Sequence, residues 1–258
     1  MKRYLICISV FTLAILTACG KAENTDTRQK EEEVSSEVST ETEPAEDASP
    51  VTASTGELLY QGHASLRITT PENKVIYIDP YAPEGYDKPA DLILITHDHY
   101  DHNNPELVHE RTEDCRVITA SDALREGIHQ TFDLGYVKVE ATEAGNNPNH
   151  DIHSCVGYVI TLSDGIKIYV SGDTSTVDQM NDLKEEQIDY AFLCCDGQFN
   201  MDLEEAGSCA DRIQARHVIP YHVIVQDGIY FDRARAESFP ADNLLVVNEG
   251  ETIPLTKE

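Results

Sequence analysis

The stretch Thr96-His97-Asp98-His99-Tyr100-Asp101-His102 follows directly on the apolar run Leu92-Ile93-Leu94-Ile95. Four branched apolar residues behind Ala90-Asp91 read as a buried strand, so the polar cluster sits in a loop held by a rigid element. Three imidazoles and two carboxylates at one strand end have the composition of a metal cradle. Neutral imidazole and carboxylate suit zinc, and also manganese or iron. A hydrolytic two-metal site takes more ligands than one loop can orient, so the fold must bring distant residues to this strand end.

The chain supplies candidates in order. Asp173 lies in Ser171-Gly172-Asp173-Thr174, just after the strand-like run Ile166 to Val170, and the glycine permits close backbone approach. His222 follows Val218-Ile219-Pro220-Tyr221 in the same arrangement of strand then polar tip. Between them and the first cluster, Asn149-His150-Asp151-Ile152-His153 precedes the strand candidate Gly157 to Leu162. Every candidate ligand therefore falls at a strand edge.

The succession Thr-His-x-His-x-Asp-His, His before Gly157-Tyr158-Val159-Ile160, Gly172-Asp173-Thr174 and Ile219-Pro220-x-His222 resembles the metallo-β-lactamase fold superfamily. It is similar in particular to the branch of small metal-dependent hydrolases that includes ascorbate-6-phosphate lactonase-like proteins. Gly62-His63-Ala64-Ser65, Tyr77-Ile78-Asp79-Pro80 and Asp196-Gly197-Gln198-Phe199-Asn200-Met201 extend the match from Leu58 to Leu255. The resemblance implies an α/β fold, the four-layer αββα sandwich, and a site for two divalent metal ions, zinc first, with manganese or iron as alternatives. It implies that His97, His99 and a middle-loop histidine hold one ion. Asp101, His102 and His222 would hold the other, and Asp173 would bridge both. His150, after Asn147-Pro148-Asn149, is the expected middle-loop ligand, with His153 the alternative. Asp101 and Asp173 are the expected catalytic carboxylates, Asp101 orienting the nucleophile while acting as a ligand. Asp79 and Asp98 are candidate acceptors for the far ring nitrogens of the ligand histidines. His63 reads as a packed or supporting group, and His109, His129 and His217 as structural or solvent-facing.

The amino terminus sets a compartment. Residues 1–18 open Met1-Lys2-Arg3, run apolar from Tyr4 to Leu16 and reach small residues before Cys19. A spanning helix needs about 20 apolar residues, so this pattern reads as an export signal. Leu16-Thr17-Ala18-Cys19 resembles the bacterial lipobox, which implies cleavage before Cys19, acylation of its thiol, and a lipoprotein held on the extracytoplasmic face of the cell membrane. Residues 19–55 are rich in Glu, Ser, Thr and Ala, including Glu31-Glu32-Glu33, and cannot bury enough surface to offset ordering entropy. They read as an acidic tether. Residues 56–258, about 200 of them, are a normal size for one domain. Strand candidates recur through it, helical spacing appears at Leu203, Ala206, Ala210 and Ile213, and further helices are expected at 105–111, 121–129, 177–184 and 233–238.

The formal net charge of −28 disfavours nucleic acid as a partner, since phosphate recognition draws on clustered Lys and Arg. The expected partner in the site is a small molecule. With Cys7 in the signal and Cys19 acylated, Cys115, Cys155, Cys194, Cys195 and Cys209 remain, an odd number that suggests buried thiols over disulfides. Cys195 stays open as an extra soft ligand. Two function classes fit: a dinuclear metal hydrolase acting on a small ester, lactone or phosphodiester, or a metal-loaded binding or sensing lipoprotein without turnover. The full ligand set favours the enzyme.

Overall fold

The computed structural model describes residues 55–257, so the signal 1–18, Cys19 and the tether up to residue 54 lie outside the described residues. Two six-stranded sheets carry the domain. The first has the order β14-β1-β2-β3-β4-β5, built from β1 (Glu57–Gly62), β2 (Ser65–Thr69), β3 (Val75–Ile78), β4 (Ala90–Leu94), β5 (Arg111–Ile118) and β14 (Thr252–Pro254). A two-stranded hairpin, β6 (Leu124–Arg125) with β7 (Ile128–His129), follows. The second sheet has the order β13-β12-β11-β10-β9-β8, from β8 (Thr131–Asp133), β9 (Val137–Glu143), β10 (Val156–Leu162), β11 (Lys167–Val170), β12 (Tyr190–Cys194) and β13 (His217–Tyr221). Each sheet is antiparallel on one side and parallel on the other: β3-β4-β5 in the first and β11-β12-β13 in the second run parallel.

Alternation along the strands builds the layers. Ile76, Ile78, Leu92 and Leu94 join the large core that also takes Tyr158, Ile160 and Ile168 from the second sheet. Their neighbours Val75, Tyr77, Ile93 and Ile95 point the other way, into a smaller cluster with Ala90 and Val108. The helices are α1 (Ala120–Ala123), α2 (Leu203–Ile213) and α3 (Arg233–Glu237). Asp202 caps α2 by accepting from the Glu205 amide at 2.8 Å, and Ala206, Cys209, Ala210 and Ile213 bury its apolar face.

The fold class is the expected mixed α/β arrangement of two sheets, with thinner helical layers than the spacing suggested. Residues 105–111 form one 3₁₀ turn at Pro105–Leu107 and then enter β5, whose strand pairing overrides the short helical signal. The helix expected over 121–129 stops at Ala123, because Glu126 (φ 52°) and Gly127 (φ 77°) turn left-handed and close the β6-β7 hairpin. Residues 177–184 break into two 3₁₀ turns. The apolar run Leu244 to Val247 makes a single bridge, from Leu244 to Val218. Among the described residues no helix is long and apolar enough to cross a membrane.

Candidate metal centre

The parallel halves of both sheets end at the same place. Asp79 follows β3, Thr96 and His97 follow β4, Asp173 follows β11, Asp196 follows β12 and His222 follows β13. Ligand sites in parallel sheets lie outside the carboxyl ends of the strands, where successive loops diverge. Backbone hydrogen bonds lock the two sheet edges together here. The His222 amide donates to the His63 carbonyl at 2.8 Å, and the Val156 amide donates to the Thr96 carbonyl at 2.9 Å. His63, Asp79 and His222 all sit at left-handed φ (53°, 44° and 45°), a cost that non-glycine residues bear where the surroundings over-determine the turn. Gly172 (φ 62°) lets the chain leaving β11 pass the start of β10, since a Cβ there would lie 2.6 Å from the Val156 carbonyl oxygen.

Among the described residues, ligand-type atoms gather in three overlapping groups, each within 4.8 Å: His97, His99 and His150; His63, Asp101, His102 and His222; and His97, His102 and Asp173. Asp173 is central. Its Oδ1 lies 3.4 Å from His102 Nε2, and its Oδ2 lies 3.3 Å from His150 Nε2 and 3.5 Å from His222 Nε2. Of the residues that sequence placed in one ligand set, His102, His150 and His222 face the Asp173 carboxylate and His97 shares its group, while His99 and Asp101 join through the other two groups. His150 is buried, whereas His153 is exposed and lines a neighbouring cavity with His97 and Asp98.

Supporting groups fix ring orientation. Asp79 is fully buried; its Oδ2 accepts from His102 Nδ1 at 2.8 Å and from the Thr96 hydroxyl at 2.6 Å, and its Oδ1 accepts from the Thr96 amide at 2.8 Å. The Thr96 hydroxyl, committed to Asp79, faces His97 Nδ1 at 3.1 Å, which turns Nε2 of His97 inward. Asn147 Oδ1 accepts from the His150 amide at 3.0 Å and faces its Nδ1 at 3.3 Å. Asn200 donates to Asp173 Oδ2 at 2.8 Å and to Asp196 Oδ2 at 2.7 Å, and Asp196 faces His222 Nδ1 at 3.5 Å. Arg235 donates to the carbonyls of Cys195 and Asp196, holding that loop. The role expected for Asp98 is not seen: it is exposed and accepts from Asn103, because its side chain points out of the loop that turns its neighbours inward.

The electrostatics suit a cation. Burial and the nearby His102 charge push His97 down to about 2, and burial lowers His150 as well, so both rings present lone pairs at neutral pH. His102 goes the other way: against burial, Asp173 and Asp79 hold it well above the usual imidazole range. Against burial, His222 and His102 hold the Asp173 carboxyl well below its usual range. Buried polar atoms without a hydrogen-bond partner concentrate here: His97 Nε2, His102 Nε2, Asp173 Oδ1 and both ring nitrogens of His222. Orphaned polar atoms of this kind are costly unless something satisfies them, and divalent ions fit this set of imidazoles and a carboxylate.

His63, read from sequence as a packed or supporting group, stands against the candidate ligands. Its Nε2 lies 3.2 Å from Asp101 Oδ2 and its ring centre 3.8 Å from that of His222. A lone histidine on a β1-β2 turn has no ligand-like neighbour in sequence; its signal was the glycine before it and Ser65 after it, whose hydroxyl donates to the Asp79 carbonyl at 2.7 Å. Cys195 is buried, outside the ligand groups, and its thiol is pushed by burial up to about 12, which keeps it protonated. The five cysteines from Cys115 onward are free. His217 stacks on Tyr190 and His109 is exposed.

The middle loop yields a direct expectation. His150→Ala removes a ring that faces Asp173, so it should lower bound metal by about half and activity by about 100-fold or more, the upper range for disturbing even supporting groups. His153→Ala should change metal content little. Elemental analysis of the two purified variants checks this, and a reversed order would move the ligand to His153.

Comparison with known proteins adds the following. The Beta-lactamase superfamily domain matches residues 57–222. A UPF0173 metal-dependent hydrolase of Thermococcus onnurineus is 29% identical over 222 residues, covering 76% of this chain and 98% of its own length. Its counterpart in Methanosphaera stadtmanae is 30% identical over 203 residues, covering 67% of this chain and 86% of its own. Among solved structures, a metal-dependent hydrolase from Parabacteroides distasonis superposes with a TM-score of 0.59 at 28% identity, over 74% of this chain and 92% of the other. A metallo hydrolase from Ignicoccus hospitalis, at 21% identity and TM-score 0.61 over 79% of this chain and all of the other, shares the fold.

Proposed function

The chain belongs to the β-lactamase superfamily, with relatives among the UPF0173 metal-dependent hydrolases, and from that premise we propose a metal-dependent hydrolase whose two divalent ions share Asp173. The carrying observation is the convergence of unpartnered polar atoms of His97, His102, His222 and Asp173 at one buried point. His97, His99 and His150 would hold one ion, and Asp101, His102 and His222 the other. Zinc fits the imidazole-rich set, and manganese or iron fits it too. Bound there, the two ions supply Lewis acidity and a water acidic enough to attack near neutral pH.

The protein's own groups do the rest. Asp101 borders the open cavity; against burial, its contacts with His63 and His102 hold its carboxyl below the usual range. A carboxylate that acidic is a weak proton acceptor, so its work is ligation and orientation, with His63 Nε2 fixing the rotamer. Asp79 keeps His102 turned with Nε2 toward Asp173, and Asn200 keeps Asp173 from swinging away from the histidines. The substrate is a small ester, lactone or phosphodiester, attacked without a serine or cysteine nucleophile.

The site belongs to a lipoprotein in this reading, anchored through an acylated Cys19 on the extracytoplasmic face of the membrane. Two or more acyl chains give stable anchoring where one gives marginal binding. Cys19→Ala should shift the protein from the membrane fraction to the soluble one, or leave it unprocessed, with hydrolytic activity that disappears on chelation and returns with zinc or manganese. Fractionation with activity assays in each fraction tests both halves. Unchanged membrane retention would sink the anchor; bound metal with no turnover on any ester, lactone or phosphodiester would favour the sensing alternative.

A further inference from the structure

The cavity that opens on His99, Asp101, His150, Asp173 and His222 has a volume of about 380 Å³, and its remaining wall is made by Tyr100, Phe199, Val225 and Asn149. Tyr100 is 73% exposed and Phe199 38% exposed, the two large apolar side chains among the described residues that stand free beside ligands. Single exposed apolar residues need no explanation, but two lining one cavity beside candidate ligands do. The wall is built. Asn149 donates to the Phe199 carbonyl at 3.3 Å, tying the middle loop to the loop after β12. Tyr100 packs edge-on against Tyr81 at 6.0 Å, Tyr81 lies 5.7 Å from Tyr230, and the same Tyr81 ring lies 5.0 Å from His63.

The charge on this wall is as informative as its shape. Among the described residues no lysine or arginine lines the cavity, and none lines the adjoining one beside His97 and Asp98. The arginines on either side of the site in sequence are engaged elsewhere: Arg67 with the Gly85 carbonyl, Arg216 with Asp189, Arg233 with Glu237 and Arg235 with backbone carbonyls. A site built to hold a phosphate or carboxylate on its substrate's flank would present the fork of an arginine or a lysine ammonium. Here such a group would meet aromatic faces, and Asp98 and Asp101 nearby, with the ions alone to offset the repulsion.

Resting on the hydrolase reading above, we propose that Tyr100, Phe199 and Val225 form a subsite for an uncharged apolar or aromatic flank, so that the substrate is a neutral ester or lactone and not a phosphodiester or a phosphate-bearing lactone. The reaction adds water across the acyl carbon–oxygen bond. The water oxygen joins the acyl carbon, the bond to the alcohol oxygen breaks, and the alcohol leaves with the proton.

The test uses the zinc-loaded protein and two 4-nitrophenyl esters with one leaving group, the 3-phenylpropanoate and the mono-ester of glutarate, whose flank carries a carboxylate. The phenyl flank should be preferred by at least about tenfold in kcat/KM, the discrimination that a hydrophobic pocket gives for a group it fits. Tyr100→Ala and Phe199→Ala should each shrink that preference severalfold through KM while metal content holds. Phe199→Arg should shift the preference toward the glutarate ester. Equal or better cleavage of the glutarate ester by the wild type, or a preference indifferent to all three substitutions, overturns the subsite while leaving the hydrolase standing. If neither ester is cleaved, calorimetric binding of 3-phenylpropanamide and of glutaramic acid decides. Preference for the former keeps the subsite and removes the hydrolase, and preference for the latter, or binding of neither, overturns the subsite.

Discussion

Asp173→Asn is expected to be the most damaging single substitution in this protein for function: hydrolysis should fall by about three powers of ten, and bound metal should drop from two ions toward one. Asparagine keeps the shape and one oxygen, so the hydrogen bond from Asn200 and the packing around the β11 end can survive. What it loses is the charge that faces His102, His150 and His222 together. A shared ion contributes several kcal/mol to transition-state charge stabilisation, and about 4 kcal/mol corresponds to that loss in rate. Steady-state kinetics and elemental analysis on the same preparation check both. Near-normal turnover would mean that Asp173 is a structural partner of His102 and nothing more.

Metal removal should have the second largest effect, on stability. Binding to the folded state alone contributes about 2.7 kcal/mol per site at a hundredfold excess over Kd. For a domain of this size 1 kcal/mol moves Tm by about 2–4 °C, so two loaded sites should raise it by about 10 °C or more. Calorimetry with and without chelator reads the difference. The metal-free form should also weaken in acid. Burial lowers His97 to about 2 and His63 to about 4, from an unfolded value near 6.5. The unfolded chain therefore binds more protons below pH 6.5, and stability falls as pH drops from there toward 4. His102 opposes this, since its raised value favours the fold below pH 6.5 and loses that contribution as pH rises through its folded value. His150, lowered like the other two, adds to the acid loss.

What sequence made legible follows from locality. His97, His99, Asp101 and His102 share one loop behind one apolar strand, so their proximity is written in the chain. Asp173 and His222 could be placed because each ends an apolar run, and in a parallel sheet such ends converge. His150 and His153 are three residues apart before the same strand. The Asn147 side chain that caps the turn and faces the His150 ring is a three-dimensional fact, as is the outward course of His153. The contacts of His63 were illegible because its neighbours Asp101 and His222 reach it only when the two sheets close. Asp98 misled for the opposite reason: it sits among ligands in sequence but points out of the loop. The helical misreadings at 105–111 and 121–129 were short apolar stretches in which strand pairing at β5 and a left-handed turn at Glu126-Gly127 decided the outcome.

The central claim is that one carboxylate, Asp173, joins two three-ligand sites, and metal stoichiometry tests it most directly. Purified protein dialysed against trace zinc or manganese, then analysed for metal by mass spectrometry alongside Asp173→Asn and His102→Ala, should bind close to two ions per chain in the wild type. It should bind about one or fewer in each variant. A wild-type value near one, unchanged by Asp173→Asn, would contradict the shared-carboxylate account and leave a mononuclear site built from His97, His99 and His150.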